Sequence, residues 1–209
     1  MKSVGNGQAV HHREKFSTFV EILNNKQIRY VIIRGYRTLP KTPDTDIDLV
    51  CHRDDYKNLV GVVHDFWELN TNFTTPLNFR IDGKDCEYTQ WRTTGKEDSE
   101  IANGRFTMDT YNHFFFHRKE KVVLSDEFAD EIFSKGIQKR NNYFILKPEY
   151  EVLMYGYRNV FDLQNKFKKK HIDIIRELLN QNPLLQSIEA FAMKDSRTSH
   201  VIKQVFAHI

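Results

Sequence analysis

Asp46 and Asp48 stand two positions apart and lead straight into an apolar run, in the string DTDIDLVC. In a strand, alternate side chains point to opposite faces. The two carboxylates would then share one face while Ile47 and Leu49 point into a core. Like charges held that close repel and shift each other's protonation. A divalent cation is the simplest compensation. Mg2+ or Mn2+ fits, because hard cations take oxygen ligands, and Mg2+ commonly uses one or two carboxylates together with substrate phosphates. Just upstream, YVIIR ends at Gly35, whose missing Cβ lets a ligand approach the backbone. Arg34 and Arg37 flank that glycine and Tyr36 follows it, so Arg34 to Arg37 form the candidate phosphate-binding turn. A cation bridging phosphates at that point would offset charge during an in-line displacement.

Such a site is expected to add a third carboxylate, as a further ligand or as the base. The segment KDCEYTQW offers Asp85 and Glu87, two apart and so on one strand face. Asp85 is preferred, with Glu87 next. Asp82 reads as a turn residue and Asp44 as a loop or cap residue. A bare Asp-x-Asp occurs by chance on many surfaces. The longer string carries the weight here: an apolar strand, Gly35, ten residues, then Asp-apolar-Asp-apolar.

The elements that must position these residues are legible from periodicity. Phe16, Phe19, Val20 and Leu23 predict a helix over 13–28. Tyr30 to Arg34 and Ile47 to Cys51 predict two buried strands, joined by a loop that holds Pro40 and Pro43. Asp54 or Asp55 is expected to cap a helix carrying Tyr56, Leu59, Val60, Val63 and Trp67. Leu77–Ile81, Asp82-Gly83 and Asp85–Trp91 predict a hairpin, Asp-Gly being the dipeptide of a tight type I′ turn. Residues 92–112 hold Gly95 and Gly104 among polar residues and give no clear element. His113–His117 and Val122–Leu124 predict short strands, Ser125-Asp126 a helix to Lys135, and Tyr143–Leu146 a further strand. Pro148 suits the first turn of a helix over 149–161, with Tyr150, Tyr155 and Tyr157 read as core. Two or three helices follow over 168–209, broken at Pro183. The expected architecture is α/β (α+β): a mixed sheet with flanking helices over 1–146 and a helical region over 147–209.

Composition bounds the function classes. No apolar run reaches the roughly 18 residues of a membrane span, and the N-terminal stretch has no apolar signal-peptide region. Cys51 and Cys86 make neither a disulfide framework nor a metal cluster and read as small buried residues in a reducing, cytoplasmic setting. A formal charge of +3 gives no ground for a nucleic-acid partner. The local run KFKKKH at 166–171 reads as a solvated helix face, with a polyanion-attracting patch as the sharper alternative. Neither His-Glu-x-x-His, nor Gly-x-Ser-x-Gly, nor a Walker-type lysine occurs.

Gly35-Tyr36, nine residues, then Asp46-Ile47-Asp48-Leu49 resembles the signature of the nucleotidyltransferase superfamily that includes DNA polymerase β. RGYRTLP followed by DTDIDLV, and later YFILKPEYEVLMYGYRNV, is similar to a branch of it whose members often occur with machinery for surface polysaccharides. The resemblance implies a mixed sheet with helices behind it and a divalent-metal site on Asp46 and Asp48. A third acidic residue on a later strand is best matched by Asp85. It also implies transfer of a nucleotidyl or related phosphoryl group to a hydroxyl, with a sugar or glycan as acceptor. Tyr36 departs from the pattern, standing where a second small residue normally helps to hold phosphates.

Two alternatives use the same residues. A glycosyltransferase also places Asp-x-Asp on a metal that holds a nucleotide-sugar donor, but the 45 residues before Asp46 are short for its usual nucleotide-binding half. A non-catalytic domain would keep the scaffold for nucleotide binding alone. Either enzyme reading requires a cavity beside the aspartates. Carboxylates neutralised by an arginine would count against it.

Overall fold

A computed structural model describes residues 6–37, 39, 47–67, 71–73, 76–93, 107–181 and 185–209. The chain divides into two compact units. One runs over 1–114 and takes back 138–145; the other comprises 115–137 and 146–209. The helical part therefore holds more than the segment after 146, since 115–137 groups with it.

The first unit opens with α1 (Asn6–Asn25), then β1 (Tyr30–Arg34), β2 (Ile47–Cys51), a 3-10 turn (Arg53–Asp55) and α2 (Tyr56–Trp67). It continues with β3 (Thr71–Phe73), β4 (Leu77–Ile81), β5 (Lys84–Thr93) and β6 (Thr107–Tyr111), and ends on β9 (Ile137–Arg140) and β10 (Tyr143–Leu146). The strands form one mixed sheet in the order β3-β5-β6-β2-β1-β10-β9, with β4 also paired to β5. β1 and β2 are antiparallel, whereas β2 with β6 and β1 with β10 are parallel. This is the mixed α/β architecture expected from the sequence.

Alternation decides which residues reach the core. Ile47, Leu49 and Cys51 of β2, with Tyr30 and Ile32 of β1, pack into one cluster with Phe16, Phe19 and Leu23 of α1 and Leu59 and Val63 of α2. α1 begins earlier than expected, at Asn6. The cap ahead of α2 is His52, whose ring accepts from the Asp54 amide, while Asp54 and Asp55 pair with Arg29. The Asp-Gly turn forms as expected, with positive φ at Asp82 (50°) and Gly83 (80°). Cys51 and Cys86 are both buried and are not joined in a disulfide.

The second unit holds β7 (Phe115–Phe116), β8 (Val122–Val123), α3 (Asp126–Lys135), α4 (Pro148–Tyr157), a π turn (Arg158–Asp162), α5 (Lys169–Gln181), α6 (Leu185–Phe191) and α7 (Ser196–His208). Ser125 caps α3 and Pro148 opens α4, both as the sequence indicates. The strand expected over His113–His117 is shorter, confined to Phe115–Phe116. Tyr150, Tyr155 and Tyr157 are buried, and the Tyr157 hydroxyl lies 2.6 Å from Thr198 Oγ1. Pro183 falls outside the described residues. No helix among the described residues is long and apolar enough to cross a membrane.

Gly156 sets how closely α4 approaches α7. A Cβ there would sit 2.6 Å from Val201 Cγ1 and 2.8 Å from Val205 Cγ2, inside van der Waals contact. Gly156→Ala gains about 1 kcal/mol of helix propensity but overpacks the interface at a cost of about 1–3 kcal/mol. The expected result is a lower thermal midpoint, and a rise would overturn this account.

Candidate functional site

The site is built on the sheet face opposite α1 and α2. Tyr56, at the start of α2, marks the helix side. Its hydroxyl lies 3.3 Å from the hydroxyls of Thr89 and Thr110, and Trp91 Nε1 donates to Thr110 Oγ1 at 3.0 Å. Burial pushes the Tyr56 hydroxyl up to about 12, and it stays a donor. Thr89, Trp91 and Thr110 therefore face the helices. By alternation their neighbours Tyr88, Gln90, Asp109 and Tyr111 face the other way.

Asp48 shares that second face, and register places its partner. In the parallel pairing of β2 with β6, Asp48 lies opposite Asp109. Neighbouring strands run about 4.8 Å apart, so two carboxylates sit side by side, both buried. Burying one charge is costly unless it is paired or hydrogen-bonded. Arg34 supplies the pairing for Asp48, with Nε 2.6 Å from Oδ2 and Nη2 donating to Oδ1 at 2.9 Å. A register shift between Ile32 and Arg34 sets Arg34 opposite Asp48. Asp109 Oδ1 accepts from the Tyr88 hydroxyl at 3.1 Å and from Gln90 Nε2 at 2.9 Å. Tyr111 stacks at a tilt on Tyr88, with centroids 5.1 Å apart. Burial, then the charges of Asp48 and Asp109, push its hydroxyl well above the usual tyrosine range.

The sequence-predicted residues fall differently. Asp46 and Asp44 lie outside the described residues. Gly35 has φ 80°, the conformation glycine adopts at no steric cost. Arg37 is exposed. Tyr36 is buried in the helix-side cluster, with the Arg140 guanidinium 5.6 Å from its ring centroid. The Tyr36 ring thus serves the core.

Asp85 and Glu87 are not brought to Asp48. They share the strand parity of Thr89 and Trp91, the helix side. Asp85 is largely exposed, its carboxylate 3.5 Å from Arg80 Nη1. Asn112 ties down this end of β5, accepting from the Glu87 amide at 2.7 Å and donating to the Asp85 carbonyl at 3.0 Å. The carboxylate that the structure brings beside Asp48 is Asp109, which the sequence reading passed over. The signal was the alternation in TMDTY, where Met108 and Thr110 face the core and leave Asp109 on the other side.

Oxygen-only carboxylate ligands suit a hard cation such as Mg2+ or Mn2+. Among the described residues, no group of three or more His, Cys, Asp or Glu side chains is arranged to hold a metal ion. A cation on Asp48 and Asp109 would need donors from Asp46, water or substrate phosphate. It would also have to displace Arg34, whose grip on Asp48 is the arrangement that counts against an enzyme.

No protein-family model and no curated protein matches the chain. Among solved structures it is similar to a provisionally named nucleotidyltransferase from H. pylori, at 14% identity and a TM-score of 0.42, over 96% of this chain and 91% of the other. It is also similar to JHP933 from Helicobacter pylori, at 13% identity and a TM-score of 0.39, over 96% and 89%.

Proposed function

We propose that this chain is a divalent-cation-dependent nucleotidyl- or phosphotransferase that moves a group from a nucleotide donor to a hydroxyl acceptor. One observation carries the reading: Asp48 and Asp109 are buried side by side, in register, on one face of a mixed sheet. A fold that needed only a core would fill those positions with apolar residues, as it does at Leu49 and Met108. Asp48 and Asp109, with Asp46, are the proposed holders of Mg2+ or Mn2+, and Asp109 takes the third-carboxylate role expected of Asp85 or Glu87. Held there, the cation would supply positive charge to offset the negative charge that builds up on the transferring phosphoryl group.

The chain's own residues do the rest. Arg34, released from Asp48, pairs with the donor's phosphate oxygens, and Arg37 adds a second positive charge beside Gly35. Tyr88 and Gln90 hold Asp109 in place to take the acceptor hydroxyl's proton. In nucleotidyl transfer the acceptor oxygen bonds to the α-phosphorus and pyrophosphate leaves. The sugar or glycan acceptor and the cytoplasmic setting rest on the sequence reading and are proposed with it.

The clamp of Arg34 on Asp48 favours a second reading, in which the aspartates are structural and the domain only binds. The test incubates the chain with nucleoside triphosphates or nucleotide sugars, with and without Mg2+ or Mn2+. Cation-dependent release of pyrophosphate supports nucleotidyl transfer. Free nucleoside diphosphate from a nucleotide sugar indicates glycosyl transfer instead. If Asp46→Asn with Asp48→Asn leaves cation and nucleotide binding unchanged, the aspartates are structural and the enzyme reading is lost.

A further inference from the structure

The second unit contains a cavity of about 540 Å³ beside the π turn, within the size range of small-molecule sites. We propose that it binds a small hydroxylated phosphate ester, such as a sugar or polyol phosphate.

The cavity is built from three segments. Its floor is Val160 and Phe161, both buried. One wall is the turn between β7 and β8, with Lys119 and Glu120; the other is the start of α7, with Arg197 and His200. Floor and first wall are fastened together. Asp162 Oδ1 accepts from the amides of His117 and Arg118, each at 3.1 Å, and the Glu120 amide donates to the Phe161 carbonyl at 3.1 Å. The wide turn closes through Leu163 N to Arg158 O and Asn165 N to Val160 O, and it brings Gln164 and Asn165 into the lining. The floor and first wall are thus held together by main-chain amides bonded to the Asp162 carboxylate and to main-chain carbonyls.

The lining specifies the ligand. Lys119 and Arg197 provide charge and donors for a phosphate, Arg in the fork geometry that matches its oxygens. The chain leaves this turn into Lys166, Lys168, Lys169 and Lys170, all exposed. These four raise the local potential for an anion. A site for a bare anion would not place Glu120 in the same lining. A carboxylate repels phosphate but accepts from hydroxyls, and the side-chain amides of Gln164 and Asn165 both donate and accept. Phe161 and Val160 give an apolar surface for the carbon face of a ring. Cations, hydroxyl partners and an apolar floor together match an esterified polyol. None of these residues belongs to the carboxylate site, so the proposal stands or falls independently of the enzyme reading.

The test is calorimetric titration of the full chain at low ionic strength without divalent cation, using glucose 1-phosphate, glycerol 3-phosphate and inorganic phosphate. At least one ester should bind more tightly than inorganic phosphate. Lys119→Ala with Arg197→Ala should weaken ester binding about tenfold or more, the loss expected for charged hydrogen bonds. Glu120→Gln should narrow the preference for ester over inorganic phosphate, and Asp48→Asn with Asp109→Asn should leave ester binding unchanged. Absence of binding by every probe overturns the proposal. So does binding indifferent to the Lys119 and Arg197 changes, or binding lost in the Asp48 and Asp109 variant. Equal affinity for esters and inorganic phosphate overturns the ligand class. Lys119, Glu120 and Arg197 are exposed, so their variants should keep the native thermal midpoint, and a cooperative melt confirms that the Asp48 and Asp109 variant is folded.

Discussion

Asp109→Asn is expected to lower group transfer by about a thousandfold or more while leaving the fold intact. Asparagine keeps the size of aspartate and an oxygen that can still accept from Tyr88 and Gln90. What it loses is charge beside Asp48 and, on the proposed mechanism, a place for the acceptor's proton. Metal-assisted charge stabilisation supplies several kcal/mol, and each 1.36 kcal/mol is tenfold in rate, which sets the size of the loss. Stability should move the other way. Two buried carboxylates in register repel, so neutralising one relieves the sheet, and the thermal midpoint without cation should hold or rise. Asp85→Asn is the control. Its carboxylate is exposed and on the opposite face, so the rate should stay within about twofold. Pyrophosphate release and thermal melts decide between the two. A rate lost with Asp85 and kept with Asp109 would return the third-carboxylate role to β5.

That contrast also shows what the sequence could reveal. β1, Gly35 and β2 were readable because an apolar run, a glycine and alternating aspartates each carry a local physical signature. The hairpin at Asp82-Gly83 was readable because a tight turn demands those residue types. Asp109 was not, because its meaning is non-local. It stands in a short polar segment, and only the parallel pairing of β6 with β2 makes it a neighbour of Asp48. Spacing put Asp85 and Glu87 on one face, but period-two alternation says only that two residues share a face and not which face. Thr89 and Trp91 fix the face, through partners on α2 and β6 that no local pattern announces. Tyr36 was an anomaly in the motif until its burial in the core gave it a packing role. The grip of Arg34 on Asp48 depends on a register shift in β1, also invisible in composition.

Arg34→Gln is expected to change cation affinity and turnover in opposite directions. The guanidinium holds both oxygens of a carboxylate that is almost wholly buried, while Arg34 itself is 22% exposed. Removing one partner of a fully buried pair costs about 3–5 kcal/mol; partial exposure brings the expected loss to about 2–3 kcal/mol. A cation entering the native chain must first displace the guanidinium. In the variant Asp48 is already available, so Mn2+ should bind about tenfold more tightly, a gain of about 1.4 kcal/mol. Mn2+ at about a hundred times its dissociation constant stabilises by about 2.7 kcal/mol, enough to offset most of the lost ion pair. Turnover should nevertheless fall, because the same arginine is the proposed partner of the donor's phosphates once it leaves Asp48. The measurement is a pair of melting curves, with and without Mn2+, for the native chain and the variant, together with the transfer rate. Equal Mn2+ shifts in the two proteins would mean that Arg34 and the cation do not compete. No Mn2+ shift in either would mean that the paired aspartates do not hold a cation.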